Sequence, residues 1–541
     1  MTVVLENWRN FSQPTHFWQR TILALTGGLL LGLPHINGSL YLLSWIALLP
    51  LLIAIKDTNL KQTYFLGLVY GLGLYTVGAF WIVDFLHLFK DYEGVKNYIF
   101  SSLFWIYCAH MPACLALTYQ WLSKNSPIPN TLLFPAVTAF YFACFPVLFS
   151  AQLGETQSQF TTALQAIEFT GVYGLDFLMA LFTITLFNGL QNTISKQQII
   201  ITSSAMVIWF AYGVYAKNAW ETTMANWETL SVGFVQPNEI PNIKTNEILS
   251  GYSRTYPPEL DMTERLVEAG AELVVWPEAK YKDYINNDIV KKAYLHNIDT
   301  LDVDLIFQDM EEYKVTVNDK MAMHRYNAAI MIDRNGEQQP LYRKQKRVAF
   351  GEYVPYISDI PILRYWVEKF FGNFLNEIGK GPGPVTFMSQ GMKLIPLICY
   401  ETMFPEFVAD AVPQDAEGSI LVGLSSNGWF GNSVQPYQHI YSASLRAVEN
   451  RTPMIHSLNN GPSVAVLPNG RFLFMSDYHQ AGGYIVQLPY SKESGGSLFS
   501  RHPWILLSLI YGILIFAIVL KLPFADTIKV NALKLNKNNY K

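Results

Sequence analysis

At 541 residues the chain is too long for one hydrophobic core, so at least two domains are expected. Half of the residues are hydrophobic and 15% are charged, which is too apolar for an ordinary soluble protein and too charged for a membrane bundle alone. A net charge of −4 offers no electrostatic case for a nucleic acid partner. Charge is sparse before about Lys217 and ordinary from there to about Arg501. A membrane part and one water-soluble domain are therefore expected, divided as 1–216, 217–500 and 501–541.

A bilayer-spanning helix needs about 20 largely apolar residues. Apolar stretches at 21–33, 41–55, 63–86, 98–122, 132–149, 170–190 and 199–214 read as seven spans, and 504–520 as an eighth after the polar region. The first two are short and divided by the turn-like Pro34-His35-Ile36-Asn37-Gly38, the pattern of a broken hairpin. No small-residue cleavage site follows the first, so it does not read as a signal peptide. Lys and Arg set the orientation. Arg9, Arg20, Lys56, Lys61, Lys124 and Lys196 fall on one side of this scheme, with Lys521, Lys529, Lys534, Lys537 and Lys541 in the tail. Of the opposite connections the first and fifth carry neither residue type, and the third carries Lys90 and Lys96. The majority places both termini in the cytoplasm and the polar region outside, which in a bacterium is the periplasm.

The polar half alternates short β-rich runs with helical stretches. Strands are expected at 230–236, 273–276, 305–308, 327–333, 392–399, 419–425, 454–457 and 463–467, with helices from about Pro258 to Ala269 and over 439–450. Arg334-Asn335-Gly336 and Pro468-Asn469-Gly470 supply turns. That alternation implies an α/β layered domain.

The run from Met392 to Ile398 stops abruptly at Cys399-Tyr400-Glu401. Of the four cysteines, Cys108, Cys114 and Cys144 lie in apolar segments, so Cys399 is alone in the polar half. It has neither a disulfide partner nor metal-ligand spacing, which leaves packing or nucleophilic chemistry. A lone cysteine in an oxidising compartment strengthens the case that its thiol is needed. Two other strand ends or loops carry reactive groups, Glu278 in Trp276-Pro277-Glu278-Ala279 and Lys344 in Tyr342-Arg343-Lys344-Gln345-Lys346. Taken singly, both read as ordinary solvated surface. Together with Cys399 they make an acyl-transfer set without histidine. The carboxylate takes the thiol proton and returns it to the leaving group, while the ammonium steadies the oxyanion beside backbone N–H groups. No metal or organic cofactor is implied.

The motifs Trp276-Pro277-Glu278-Ala279, Tyr342-Arg343-Lys344 with Phe350-Gly351-Glu352-Tyr353-Val354-Pro355, and Ile398-Cys399-Tyr400-Glu401 resemble those of the nitrilase superfamily. More narrowly they resemble its membrane-bound branch, the apolipoprotein N-acyltransferase family. The likeness continues in Ser426-Asn427-Gly428-Trp429-Phe430-Gly431, Gln438-His439, Arg446-Ala447-Val448-Glu449 and Asn459-Asn460-Gly461. In the apolar half it includes Gly171-Val172-Tyr173-Gly174-Leu175-Asp176-Phe177, so it covers nearly the whole chain.

The resemblance implies a nitrilase-like α-β-β-α sandwich beside a membrane α-helical bundle of about eight spans. It implies Glu278 as general base, Lys344 as oxyanion stabiliser and Cys399 as nucleophile, with Glu352 orienting Lys344 or assisting proton transfer. Tyr400 and Glu401 match positions tied to activity, directly or as backbone support, and Asn427 matches one that holds a loop near the site. Trp429 and Phe430 are expected in the core, and His439 as a buried, hydrogen-bonded histidine. The sequence departs from the family at Arg347-Val348-Ala349, where Leu-Val-Pro is usual. It departs again between Pro237 and Thr245, where the family's Val-Gln-Gly-Asn reads Val235-Gln236-Pro237-Asn238 and no tryptophan follows soon.

From 361 to 375 apolar residues recur at Ile362, Trp366, Phe370 and Phe374 and at Leu363, Val367, Phe371 and Leu375. These rows form a wide apolar helix face, either a core helix or an arm dipping into the membrane surface. The activity implied by the resemblance is transfer of a phospholipid acyl chain to the α-amine of an apolipoprotein's N-terminal diacylglyceryl-cysteine. It would run through a Cys399 thioester, in a monomer at the outer face of the inner membrane. A membrane-tethered amidase or hydrolase is a second reading, and a catalytically idle lipoprotein-binding paralogue a third.

Overall fold

The computed structural model describes residues 14, 16–149, 152–240, 248–279, 281–317, 320–349, 351–353, 360–363, 365–366 and 378–522. Most of the apolar segment 361–375, and Ile243-Lys244-Thr245 in the altered loop, lie outside these residues.

The apolar half is a helical bundle. Among the described residues four stretches are long and apolar enough to cross a bilayer: Gly38–Ile55, Gly94–Ser123, Val172–Leu190 and Lys196–Met224. Helices Leu60–Gly78 and Ile82–Lys90 make a fifth if counted together, bent by 64°. Small residues let helices approach closely. At Gly71 an added Cβ would lie 2.5 Å from the Ala109 Cα of helix Gly94–Ser123.

The bend breaks what the sequence presents as one span at 63–86. At the break the Gln438 side chain of the polar domain donates to the carbonyls of His35 (2.9 Å) and Gly78 (2.8 Å) and accepts from Trp81 Nε1 at 3.0 Å. One amide thus satisfies backbone carbonyls near the ends of two membrane helices, groups a helix terminus otherwise leaves orphaned.

The polar half contains two six-stranded sheets. The first comprises β1 (Glu228–Gln236), β2 (Leu273–Val275), β3 (Asp304–Val317), β4 (Lys320–Ile332), β5 (Tyr342–Arg343) and β12 (Gly482–Tyr490), in the order β12-β1-β2-β3-β4-β5. The second comprises β6 (Phe387–Ser389), β7 (Met392–Ile398), β8 (Ser419–Ser425), β9 (Met454–Leu458), β10 (Val464–Val466) and β11 (Phe472–Met475), in the order β11-β10-β9-β8-β7-β6. Strands β1, β2 and β3 are parallel, as are β7, β8 and β9.

The parallel strands are apolar on both faces because both are covered. Val232, Ile306, Ile398 and Val422 meet between the sheets. Outside, helices Pro258–Glu268 and Asp288–Leu301 cover the first sheet, and helices Pro405–Ala411 and Gln435–Asn450 the second. The layers are α-β-β-α.

Buried charges of the helix Gln435–Asn450 and its C-cap join the domain to the bundle. Arg451, 1% exposed, forks onto Glu168 at 2.8 and 2.9 Å. The fully buried Arg446–Glu449 pair, at 2.8 Å, is joined to the bundle by the Val172 N–H, which donates to Glu449 at 2.9 Å.

Candidate active site

The ends of the parallel strands in the two sheets converge, as ligand sites of such sheets do. Glu278 lies three residues beyond β2, Lys344 directly follows β5, and Cys399 directly follows β7. All three line one cavity of about 210 Å³ with Glu352, Tyr400 and Asn427. Cys399 takes φ +52°, a left-handed conformation that costs a non-glycine residue about 1–3 kcal/mol and is held only by its surroundings. Thr402 Oγ1 donates to the Cys399 carbonyl at 3.0 Å, one of those restraints.

The Cys399 thiol and the Glu278 carboxyl group line the same cavity, near enough for each to shift the other's pKa. On its other side Glu278 accepts from Asn327 Nδ2 at 2.7 Å, and Gln308 Nε2 donates to Asn327 Oδ1 at 2.9 Å. Lys344 is 1% exposed and donates to Glu352 Oε1 at 2.7 Å. The second Glu352 oxygen accepts from the Val348 backbone N–H at 2.7 Å. Arg347-Val348-Ala349, the departure from the family pattern, therefore still supplies a backbone donor to Glu352.

Burial and then the Glu278 charge push the Cys399 thiol up, against the pull of Lys344. Glu278 is pushed up by burial, with Lys344 and Asn327 pulling it down. Burial works against the Lys344 ammonium, but Glu352, Glu278 and Cys399 outweigh it and hold its pKa above the ordinary lysine value. The resting set is thus a neutral thiol, a carboxylate placed to take its proton and a fixed cation. That is the arrangement an acyl transfer needs.

The expected supporting residues divide by what they touch. Glu401 is fully buried and accepts from Tyr342 Oη (2.7 Å) and from the backbone N–H groups of Gln345 (2.6 Å), Lys346 (3.0 Å) and Ile398 (2.8 Å). It is backbone support. Tyr400 donates to the Leu148 carbonyl and packs edge-on against Phe149, so it anchors the cysteine turn to the bundle. Asn427 Oδ1 lies 3.0 Å from His439 Nδ1, and His439 Nε2 lies 2.9 Å from Thr402 Oγ1. Burial pulls the His439 pKa down to about 4, so the ring is neutral.

As expected, Phe430 is buried in the apolar cluster and Trp429 packs against it, but both also face the site. They line the cavity, and Phe85 and Phe89 of the bent helix Ile82–Lys90 pack on Phe430 and Trp429 at 5.4 Å each. Trp81 meets Phe430 edge-on at 5.5 Å. One wall of the cavity is polar and the other is an aromatic face shared with the bundle. Asn327 and Gln308, which contact the base directly or through one amide, carry no signal in the sequence beyond being amides inside strands. Among the described residues no group of three or more His, Cys, Asp or Glu is placed to hold a metal ion.

Two family models match the chain. One, described as the apolipoprotein N-acyltransferase N-terminal domain, matches residues 27–185; the other, described as carbon-nitrogen hydrolase, matches 217–492. An apolipoprotein N-acyltransferase of Azotobacter vinelandii is 28% identical over 480 residues, covering 84% of this chain and 86% of that protein. One of Geobacter metallireducens is 27% identical over 503 residues, covering 89% and 91%. Among solved structures, an amidase from Nesterenkonia sp. aligns with 52% of this chain and 97% of its own, at 18% identity and a TM-score of 0.36. The second family model spans just over half of the chain, and the chain accordingly belongs to the carbon-nitrogen hydrolase family, in the branch whose amino-terminal part is the apolipoprotein N-acyltransferase N-terminal domain.

Proposed function

We infer that this chain is an acyltransferase that N-acylates lipoproteins, with a phospholipid as acyl donor and the α-amine of an N-terminal diacylglyceryl-cysteine as acceptor. The observation that carries the reading is the meeting of Glu278, Lys344 and Cys399 in one cavity whose opposite wall is the aromatic face of a membrane bundle. The named relatives support the same reading along most of the chain. A soluble amide would need no such wall, and this favours acyl transfer over a tethered hydrolase.

In the first half-reaction Glu278 takes the Cys399 proton as the sulfur attacks the acyl ester. Lys344 and backbone N–H groups hold the oxyanion, and the proton passes from Glu278 to the departing lysophospholipid. The thioester then waits where water is excluded. In the second, the amine attacks the thioester, Glu278 takes an amine proton, and the Cys399 thiol is restored. Glu352 keeps Lys344 charged and placed.

Residues 1–216 and 501–541 form the membrane part with eight spans and both termini cytoplasmic, and 217–500 form a periplasmic catalytic domain. The Lys and Arg distribution supports that orientation. A self-contained bundle and domain make a monomer the simplest assembly.

The test is incubation of the purified protein with phospholipid and a diacylglyceryl peptide bearing a free N-terminal cysteine amine. A gain of one acyl chain on the peptide, with lysophospholipid released, is expected. Free fatty acid with an unmodified peptide overturns the reading in favour of a hydrolase, and no turnover of either lipid favours an idle binding protein.

A further inference from the structure

Gln308 on β3 is 1% exposed and lines the catalytic cavity. Its orientation follows from the base. A carboxylate only accepts hydrogen bonds, so Asn327 turns its NH₂ to Glu278 and its oxygen to Gln308. Gln308 must then turn its own NH₂ to Asn327. The end left over is the Gln308 carbonyl oxygen, which has no hydrogen-bond partner among the described residues. Gln435 Oε1, on a side chain 3% exposed, lines the same cavity and likewise has no partner among them. A buried polar atom left unpaired bears the full desolvation cost of the group; the cavity also holds one unpaired donor, Asn427 Nδ2, but at Gln308, tied to the base through Asn327, the unmet need is for a ligand that brings a hydrogen-bond donor.

The two substrates differ in this respect. The ester group and fatty chains of a phospholipid carry no N–H or O–H where Cys399 attacks; a primary amine carries two N–H bonds. We propose that Gln308 is a substrate-positioning residue for the second half-reaction, its Oε1 accepting one N–H of the incoming primary amine while the other hydrogen faces Glu278. The proposal rests on the acyl-transfer reading. In the step, the amine nitrogen bonds to the thioester carbon and the C–S bond breaks with its electron pair going to Cys399 Sγ. Glu278 takes one amine proton and passes it to that sulfur, and the remaining N–H becomes the amide N–H, still held by Gln308. Because Gln308 is tied to Glu278 through a single amide, the amine binds next to the base that deprotonates it. Gln435 Oε1 is a second unpaired acceptor in the same cavity.

The test uses the full chain in detergent with phospholipid, and a diacylglyceryl peptide with either a free or an N-methylated terminal amine. Thioester formation on Cys399 and its discharge onto each peptide are timed separately, in wild type and in Gln308→Met, which keeps the length and removes both the free acceptor and the donor to Asn327; loss of that donor bears on both half-reactions, so the ratio between them reads the acceptor. The ratio of discharge to formation is expected to fall about tenfold, the worth of a hydrogen bond to a buried amide. Wild type is expected to prefer the primary amine, whose second N–H Gln308 holds, and the variant to lose that preference. An equal fall in both half-reactions overturns the proposal, because Gln308 would then act only through Asn327 and Glu278; an unchanged ratio does so too. If the variant does not fold, wild type alone decides, and equal discharge onto both amines overturns it. Failure of wild type to form any thioester is a separate result, which removes the acyl-transfer reading itself.

Discussion

The Glu401 carboxylate accepts the Tyr342 hydroxyl at 2.7 Å and the Ile398 backbone N–H at 2.8 Å, joining the strand that leads to Lys344 to the strand that leads to Cys399. Two further bonds come from the N–H groups of Gln345 and Lys346. One buried side chain therefore sets the spacing of the cation and the nucleophile across the two sheets. Glu401→Ala leaves four donors without their acceptor and is expected to cost roughly 3–5 kcal/mol, seen as a large fall in thermal midpoint together with loss of thioester formation. Tyr342→Phe removes one bond and is expected to cost about 1 kcal/mol, with most of the activity kept.

The Lys344–Glu352 pair makes a different prediction. Glu352→Gln leaves a buried ammonium without the carboxylate nearest to it, and its pKa falls because burial is then opposed by Glu278 and Cys399 without Glu352. Thioester formation should drop by about 10²-fold, the usual loss on weakening an oxyanion stabiliser. Its measured pH dependence should show a new alkaline fall as Lys344 loses its proton. An unchanged alkaline limb would mean that Glu352 does not hold the charge on Lys344.

Glu278 sets the acid side of the pH profile. Its carboxyl is pushed above the ordinary glutamate value by burial, so as pH falls the base is protonated, and activity lost, earlier than an exposed glutamate would allow. Single-turnover thioester formation should therefore decline at a pH above about 4.3, the ordinary glutamate value. In Glu278→Gln the rate should fall by about 10²–10⁴-fold, and the remainder should rise with pH as the thiol, itself pushed up by burial, begins to ionise. An acid limb at or below the ordinary glutamate value would contradict the assignment.

Arg451 tests the joint between domain and bundle. Arg451→Met breaks the fork onto Glu168 and the 2.9 Å bond to the Pro468 carbonyl. Breaking a buried ion pair costs roughly 3–5 kcal/mol. The thermal midpoint should fall, while the rate of thioester formation well below that midpoint stays near the wild-type value.

The strand ending at Cys399, the Trp276-Pro277-Glu278 turn and the lysine after Tyr342 are legible in the sequence because each is local: an apolar run followed at once by a reactive residue. What escapes is set by distant partners. The strand expected at 305–308 stops short of the charged stretch Glu311-Glu312-Tyr313-Lys314. That stretch nevertheless continues β3, because Glu311 pairs with Arg343 at 2.5 Å and Glu312 with Arg325 at 2.7 Å across the sheet. At the break after Gly78, the carbonyl left over is met by Gln438, 360 residues away. Gln308 and Asn327 reach the base only through the β3–β4 register, which places Asn327 opposite Met310, two positions from Gln308.

The central claim is that Cys399 carries the acyl group. Intact mass after incubation with phospholipid alone, for wild type and Cys399→Ala, tests it most directly. A gain of one acyl chain that hydroxylamine removes, in wild type and not in the variant, is the predicted result. An adduct of the same mass on Cys399→Ala, or none on wild type with any phospholipid, would contradict it.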